Sequence, residues 1–247
     1  MQCAGAQTIS NSAAVDAGSD VTCLFTTDFV SQDVFRGYFL GGASIEPSLD
    51  FSNGKFDLGE WSNSTVHNRV QGASSTEVEL YGSYTVPVKA SVSLEPGFTL
   101  YTLPWGRGFE GGHRSSIEPS LALNFSMGAV RLTPTVYDDL VLRVLTFEAN
   151  ATYALPLKGA GSELDFTATL GTQNFQSEPA GTPTGAGRWD TYWLLGVAAP
   201  FKVGKAETFT VGWSWTGINE NETDAFRFGG SPESERGSVT LSFAAKF

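Results

Sequence analysis

The residues able to do chemistry are few, and their types narrow the choice. His67-Asn68 and His113-Arg114-Ser115-Ser116 contain the serine and imidazole that an acyl-transfer site needs. Both fall in expected long loops, without a third polar group to orient them, so a hydrolase with His67 or His113 as base stays an alternative. The glycine-rich piece Gly106 to Gly112 has no strand–helix unit after it and is a loop, not a phosphate cradle. Two cysteines exclude a disulfide-dense scaffold and a four-cysteine zinc site. Cys3 and Cys23 could pair in an oxidising compartment, although Cys23 shares its face with Val21 and Phe25, which favours a free thiol. No cofactor, metal or covalent catalysis is expected. The abundant chemical group is the carboxylate: 26 Asp and Glu face 15 Lys and Arg, a net charge of −11. That balance argues against nucleic acid as a partner, since phosphate binding needs clustered bases.

The elements that carry these carboxylates are strands. Helical periodicity is almost absent and two-residue alternation runs nearly everywhere. Phe209, Val211, Trp213 and Trp215 share one face and Thr208, Thr210, Gly212, Ser214 and Thr216 the other. The C-terminal segment repeats the pattern, with Val239, Leu241, Phe243, Ala245 and Phe247 on one side. Such segments predict strands near 20–30, 43–52, 55–63, 75–87, 90–103, 115–126, 129–137, 143–157, 162–172, 191–201, 206–217 and 237–247. Residues 1–19, rich in Ala, Ser, Gly and Asn, read as a flexible tail, and 20–247 as one domain. The longest apolar run, Trp193 to Phe201, is too short for a membrane helix, and Met1 to Asp20 lacks the apolar core of a signal peptide.

The connections alternate in length. Short ones fall at Asn53-Gly54, Val88-Lys89, Met127-Gly128, Lys158 to Gly161 and Lys202 to Lys205. Longer ones fall at 31–42, 64–74, 104–114, 173–190 and 218–236, with a short exception near 138–142. Turns at one end and long loops at the other are the signature of a transmembrane barrel. The strands also segregate. Leu80, Tyr84, Leu121, Phe147, Leu155, Phe166 and Leu170 lie on apolar faces. Asp28, Glu46, Asp50, Asp57, Glu77, Glu79, Glu95, Glu118, Glu148, Glu163 and Asp165 lie on the opposite faces, with Lys55, Arg131 and Lys246 as the bases there. A barrel turns the polar face to a wet lumen, whereas a secreted β-sandwich would turn it to solvent and could bind carbohydrate through Trp105, Trp189 and Trp215. Aromatics gather toward strand ends: Tyr84, Tyr153, Phe201 and Phe247 near short turns, and Trp61, Tyr101, Tyr137, Tyr192 and Trp193 near the others, where two membrane interfaces would lie.

Ile45-Glu46-Pro47-Ser48-Leu49 recurs as Ile117-Glu118-Pro119-Ser120-Leu121, and Tyr84-Thr85-Val86-Pro87-Val88 is echoed by Tyr153-Ala154-Leu155-Pro156-Leu157. Together with Val34-Phe35-Arg36-Gly37-Tyr38 and the glycine-aromatic strand Phe56 to Asn63, these elements resemble the TorF-type porin family over roughly residues 20–247. The resemblance implies an outer-membrane barrel with a porin role. Glu60 departs from it, standing where an apolar residue is expected, and a bulge would turn it inward.

The expected architecture is therefore all-β: a closed antiparallel up-and-down transmembrane β-barrel of about 12 strands, in the bacterial outer membrane, with lipid and small hydrophilic solutes as its partners. Passive diffusion with a cation preference is the expected activity. The expected pore-lining residues are Glu46, Glu79, Glu118, Glu148, Asp50, Glu77, Glu163, Asp165 and Arg131, unless pairing with Arg36, Arg131 or Arg143 cancels their field. Pro47, Pro96, Pro119 and Pro134 each remove a ladder donor and are expected at bulges or near the membrane boundary. The N-terminal tail and the long loops are the two candidates for a lumenal plug.

Overall fold

Alternating sequences pair because each strand must satisfy its backbone on both sides, and here the pairing runs full circle. The computed structural model describes residues 21–67, 76–105, 113–157, 159, 162–175, 189–219 and 235–247; the expected 1–19 tail, and with it any Cys3 bond, lies outside them. The wall strands are β1 (Thr22–Val30), β4 (Ser44–Ser52), β5 (Phe56–Thr65), β6 (Thr76–Tyr84), β7 (Val86–Lys89), β8 (Val92–Thr102), β9 (Ser115–Met127), β10 (Val130–Asp139), β11 (Val144–Leu157), β12 (Ser162–Phe175), β13 (Trp189–Lys202), β14 (Glu207–Asn219) and β15 (Glu235–Lys246). The first wall strand pairs with the last, and β6 pairs with β8, which closes the cylinder. β6 and β7 hold one common register against β8 and form a single strand interrupted at Thr85, so the 13 strands of the sheet build a twelve-stranded barrel. Every neighbouring pair is antiparallel. Closure removes the free edges of a sandwich, so the carbohydrate-binding sandwich is overturned.

The sides are inverted relative to a soluble protein. Leu49, Leu80, Leu121, Phe147, Leu170, Leu195, Trp213 and Leu241 point outward, with Leu80 48% and Leu170 59% exposed. Thr26, Asp28, Glu46, Glu79, Glu118, Thr146, Gln173 and Ser242 are buried inside. A continuous apolar exterior of this extent suits hydrocarbon rather than water. Purified protein is accordingly expected to migrate faster on an SDS gel before boiling than after; a detergent-free soluble monomer with a single mobility would contradict the fold.

The short turns obey local chemistry. Gly54, Gly128 and Gly159 take φ of 80°, 65° and 98°, which lack of a Cβ permits. The Asn53 side chain accepts the amides of Lys55 and Phe56 at 3.1 and 2.8 Å, fixing its turn. The second short turn falls at Ala90-Ser91 rather than Val88-Lys89, because a bulge between Pro87 and Lys89 advances the chain.

Three other expectations are corrected. Pro47, Pro96, Pro119 and Pro134 sit in strands whose register runs straight past them, opposite Thr27, Leu121, Phe98 and Ala149. The missing donor costs one bond, and the strands on both sides hold the register; among the described prolines only Pro87 adjoins a bulge. Glu60 is not turned inward. It stands between Leu49 and Leu80 in unbroken register, exposed on the apolar exterior. Glu60→Leu is expected to stabilise the barrel by about 1 kcal/mol, less than the cost of a lipid-facing lysine, as a higher urea midpoint for the protein folded into liposomes.

The third correction concerns 31–42, read as a plain loop. It contains β2 (Asp33–Phe35) and β3 (Tyr38–Gly41), which pair with each other and with no wall strand. Residues 33–39 are all buried. A hairpin this buried, between β1 and β4, lies inside the barrel.

Candidate functional site: the lumenal hairpin and its carboxylates

The hairpin turns at Arg36-Gly37, with φ of 46° and 85°. Two successive positive values are those of the tight turn that matches strand twist. Its tip reaches the far wall: a Cβ on Gly37 would lie 2.6 Å from Ile218 Cβ and 3.2 Å from Tyr192 Cβ. Glycine is thus required twice, by the backbone and by the wall.

Polar contacts bind the hairpin around the circumference. Arg36 donates from Nη1 and Nη2 to Glu118 Oε2 and Oε1 at 2.9 and 3.0 Å, a two-pronged pair within a buried setting. The Tyr101 hydroxyl donates to the same carboxylate at 2.9 Å. The guanidinium also stands 4.8 Å from the Phe35 and Tyr137 ring centroids. The Tyr38 hydroxyl donates to Asp190 at 2.7 Å, and Asn63 Nδ2 donates to Asp33 at 2.7 Å. Arg236 lies over the Phe39 ring at 3.8 Å. The buried apolar side chains, among them Phe35, Tyr38, Tyr101, Tyr192 and Ile218, gather at this hairpin, with Leu40 and Trp61 packed against them. Burial pushes the Asp33 carboxyl up to about 7, and the Asn63 bond opposes that rise.

This corrects the aromatic assignment. Trp61, Tyr101, Tyr137 and Tyr192 are not interface residues; they turn inward and hold or flank the hairpin. Their alternation phase was legible, but the hairpin that shelters them was not. Trp193 does face outward, edge-on to Trp215, while Trp189 stacks on Phe147. Tyr84, Tyr153, Phe201 and Phe247 are exposed near the short turns. The tryptophans of the rejected carbohydrate surface are therefore divided: Trp189 and Trp215 belong to the apolar wall, and Trp105 stands exposed beyond β8.

The expected lining residues share the inner face but not one environment. Glu46 and Glu79 are 1% exposed and Glu118 is 2% exposed. Glu118 is neutralised by Arg36, so its field is cancelled. Asp50 accepts the Tyr81 hydroxyl, and Glu148 accepts the Tyr192 hydroxyl at 2.6 Å. These two contacts are built alike. Asp50 stands opposite Gly59, which stands opposite Tyr81; Glu148 stands opposite Gly171, which stands opposite Tyr192. In both, the tyrosine ring lies across the glycine, within 2.4 and 2.1 Å of where a Cβ would be, and the hydroxyl reaches the acid one strand further on. An acid, a glycine and a tyrosine at matched register could have been found by aligning the strands. Glu77 is half-buried, Asp165 buried, and Glu163 half-buried near the short turn, two residues before Asp165. Arg131 is half-buried between Ser126 and Thr152. His67 and His113 are exposed.

The outcome is a polar tube crossed by a tethered hairpin. Asp28, Asp33, Glu46 and Glu77 each keep a buried carboxylate oxygen without a hydrogen-bond partner. Among the described residues no group of acids, histidines and cysteines is placed to hold a metal ion.

Comparison with solved structures finds barrels of the same kind. The NanC porin superposes with a TM-score of 0.54 at 12% identity, covering 91% of this chain and 100% of that one. The KdgM porin gives 0.53 at 12% identity, covering 91% and 99%. At such identity the likeness is one of fold, that of outer-membrane porin barrels. No curated protein is detectably similar in sequence. A bacterial family profile matches residues 14–236, which contain the hairpin and its wall contacts at Asn63, Glu118 and Asp190. The chain belongs to that family, Gcw_chp, described as bacterial protein of unknown function.

Proposed function

We propose that the protein is an outer-membrane channel of the TorF porin type, passing small hydrophilic solutes by passive diffusion and preferring cations. The observation that carries this is the lumen, where Asp28, Glu46 and Glu77 of the wall and Asp33 of the hairpin hold unpartnered carboxylate oxygens while Arg36 at the hairpin tip is spent on Glu118. Carboxylates in a narrow tube raise the local cation concentration and repel anions, and screening over about 8 Å leaves that field effective across a small lumen. Twelve strands enclose less space than the sixteen or eighteen of a general porin, and the hairpin narrows it further. The bacterial outer membrane as its location is supported by the apolar exterior and by the fold.

Reversal potentials in a salt gradient across a planar bilayer test the proposal. The wild type is expected to prefer cations. Glu79→Gln with Glu148→Gln is expected to weaken that preference, although the Tyr192 bond to Glu148 reduces its share. Anion preference in the wild type would overturn the charge assignment.

A further inference from the structure

The two Ile-Glu-Pro-Ser-Leu copies place a glutamate at equivalent points of β4 and β9, and the hairpin meets them in opposite ways. At its tip, Arg36 gives Glu118 a guanidinium, and the contact balances both charges. At its root, where Asp33 pairs with Gly41, the hairpin enters a wall of acids. Glu46 on β4 acts electrostatically on Asp33, on Asp28 of β1 and on Glu77 and Glu79 of β6, all of one sign. Glu77 acts on Asp33 as well, and Glu79 also senses Glu118 and Arg36. The uncharged neighbours are Asn63 of β5, whose amide nitrogen donates to Asp33, and Ser242 of β15, directly opposite Asp28. The two nearby arginines are committed elsewhere, Arg36 to Glu118 and Arg236 to the Phe39 ring and Gln32. Among the described residues no lysine or arginine forms an ion pair with Asp28, Asp33, Glu46 or Glu77.

Acids packed in this way cannot all ionise, because each new charge is repelled by the others and has lost its water. The open valences agree. Asp28 Oδ1, Asp33 Oδ1, Glu77 Oε1, both Glu46 oxygens and Asn63 Oδ1 are buried acceptors without a donor. A neutral carboxyl carries one O–H donor where a carboxylate carries none. Protons on the acids therefore supply the missing donors from within the cluster, and the Ser242 hydroxyl, itself without a partner, faces Asp28. Of these acids only Asp33 belongs to the hairpin; the others belong to the closed wall. Ionisation thus sets like charges between the hairpin and its seat. The Arg36 tether cannot compensate, since its charge is already balanced by Glu118. We propose that this seat makes the lumenal hairpin a proton-operated gate, held to the wall while Asp33, Glu46 and Glu77 are protonated and loosened when they ionise. The proposal rests on the channel reading only for its effect on current. The direction of the pH dependence follows from the proton count. A carboxyl in water titrates at about 4, and burial holds that of the seated Asp33 at about 7. The seated state therefore binds more protons, and seating weakens as pH rises between these values.

Hydrogen exchange of the hairpin strands β2 and β3 in the detergent-purified full chain, read by mass spectrometry and corrected for the intrinsic pH dependence of amide exchange, reports local opening whether or not current flows. Protection of this segment is expected to fall at least about tenfold from pH 5 to pH 8. Asp33→Asn and, separately, Glu46→Gln keep one member of the seat neutral and should retain most of the protection at pH 8, with heat-modifiable mobility showing that each variant folds. Glu207→Gln, beside a short turn away from the hairpin, should keep the wild-type response. Protection that is unchanged or higher at pH 8, or a full pH response in both seat variants, would overturn the proposal. Single-channel conductance in 1 M KCl, where charges are screened within about 3 Å, should rise at least about twofold over the same pH range and stay low in Asp33→Asn. Current that ignores pH while the hairpin loosens would overturn the gate. A wild type that carries no current at all would remove the channel reading, and the exchange result would still decide whether protons hold the hairpin.

Discussion

Replacing Gly37 by valine is expected to unseat the lumenal hairpin and raise single-channel conductance at least about twofold, because the hairpin spans the narrow lumen of a twelve-stranded barrel. The hairpin touches β5 through Asp33 and Asn63, β9 through Arg36 and Glu118, and the β13–β14 wall at Tyr192 and Ile218. A valine at position 37 fails on two counts. Its φ of 85° is a conformation that β-branched residues avoid, and its Cβ would stand 2.6 Å from that of Ile218. Neither strand of the hairpin can yield independently, since β2 and β3 pair only with each other. Gly128 supplies the matched control. It has a φ of 65° in a short turn, with nothing within 4 Å of a Cβ. Gly128→Val carries similar backbone strain, about 1–2 kcal/mol, yet should leave conductance unchanged. Equal conductance of Gly37→Val and wild type, with both barrels folded, would show that the hairpin does not restrict flow.

The second large effect lies at the other end of the same tether. Arg36→Met leaves Glu118 buried, still bonded to Tyr101 but without its cation. Loss of one member of a buried pair costs about 3–5 kcal/mol, whereas exchanging both for apolar groups is often neutral. Arg36→Met is therefore expected to lower stability by that amount in urea titrations of liposome-folded protein. The double variant Arg36→Met with Glu118→Leu should recover most of it. The single variant also uncovers a carboxylate in the lumen, so its cation preference should exceed that of the wild type, and the double variant's should not. A single variant as stable as the wild type would mean that the pair contributes nothing to seating the hairpin.

Much of this architecture is written in local pattern. Alternation decides which side chains share a face, and because its period is two it assigned Glu46, Glu79, Glu118 and Glu148 to the inner face and Leu80, Leu121, Phe147 and Leu170 to the outer one. Turn chemistry at Asn53-Gly54 and Met127-Gly128, with the length parity of the connections, determined strand count and closure. What alternation cannot state is what lies on the other side of an inward-facing residue. Trp61, Tyr101, Tyr137 and Tyr192 have the composition of interface aromatics, and only the hairpin folded between them makes them lumenal. Phe35-Arg36-Gly37-Tyr38 was visible as a motif, but its destination depends on contacts with β9, β13 and β14 that are far away in the chain. The same limit separates the two repeat copies. Glu46 and Glu118 are equivalent in sequence and in burial, yet one meets Arg36 and the other meets acids and Asn63, because the hairpin lies asymmetrically inside a cylinder whose wall is nearly regular. Local periodicity determined the wall; long-range contact across the lumen decided what the wall encloses.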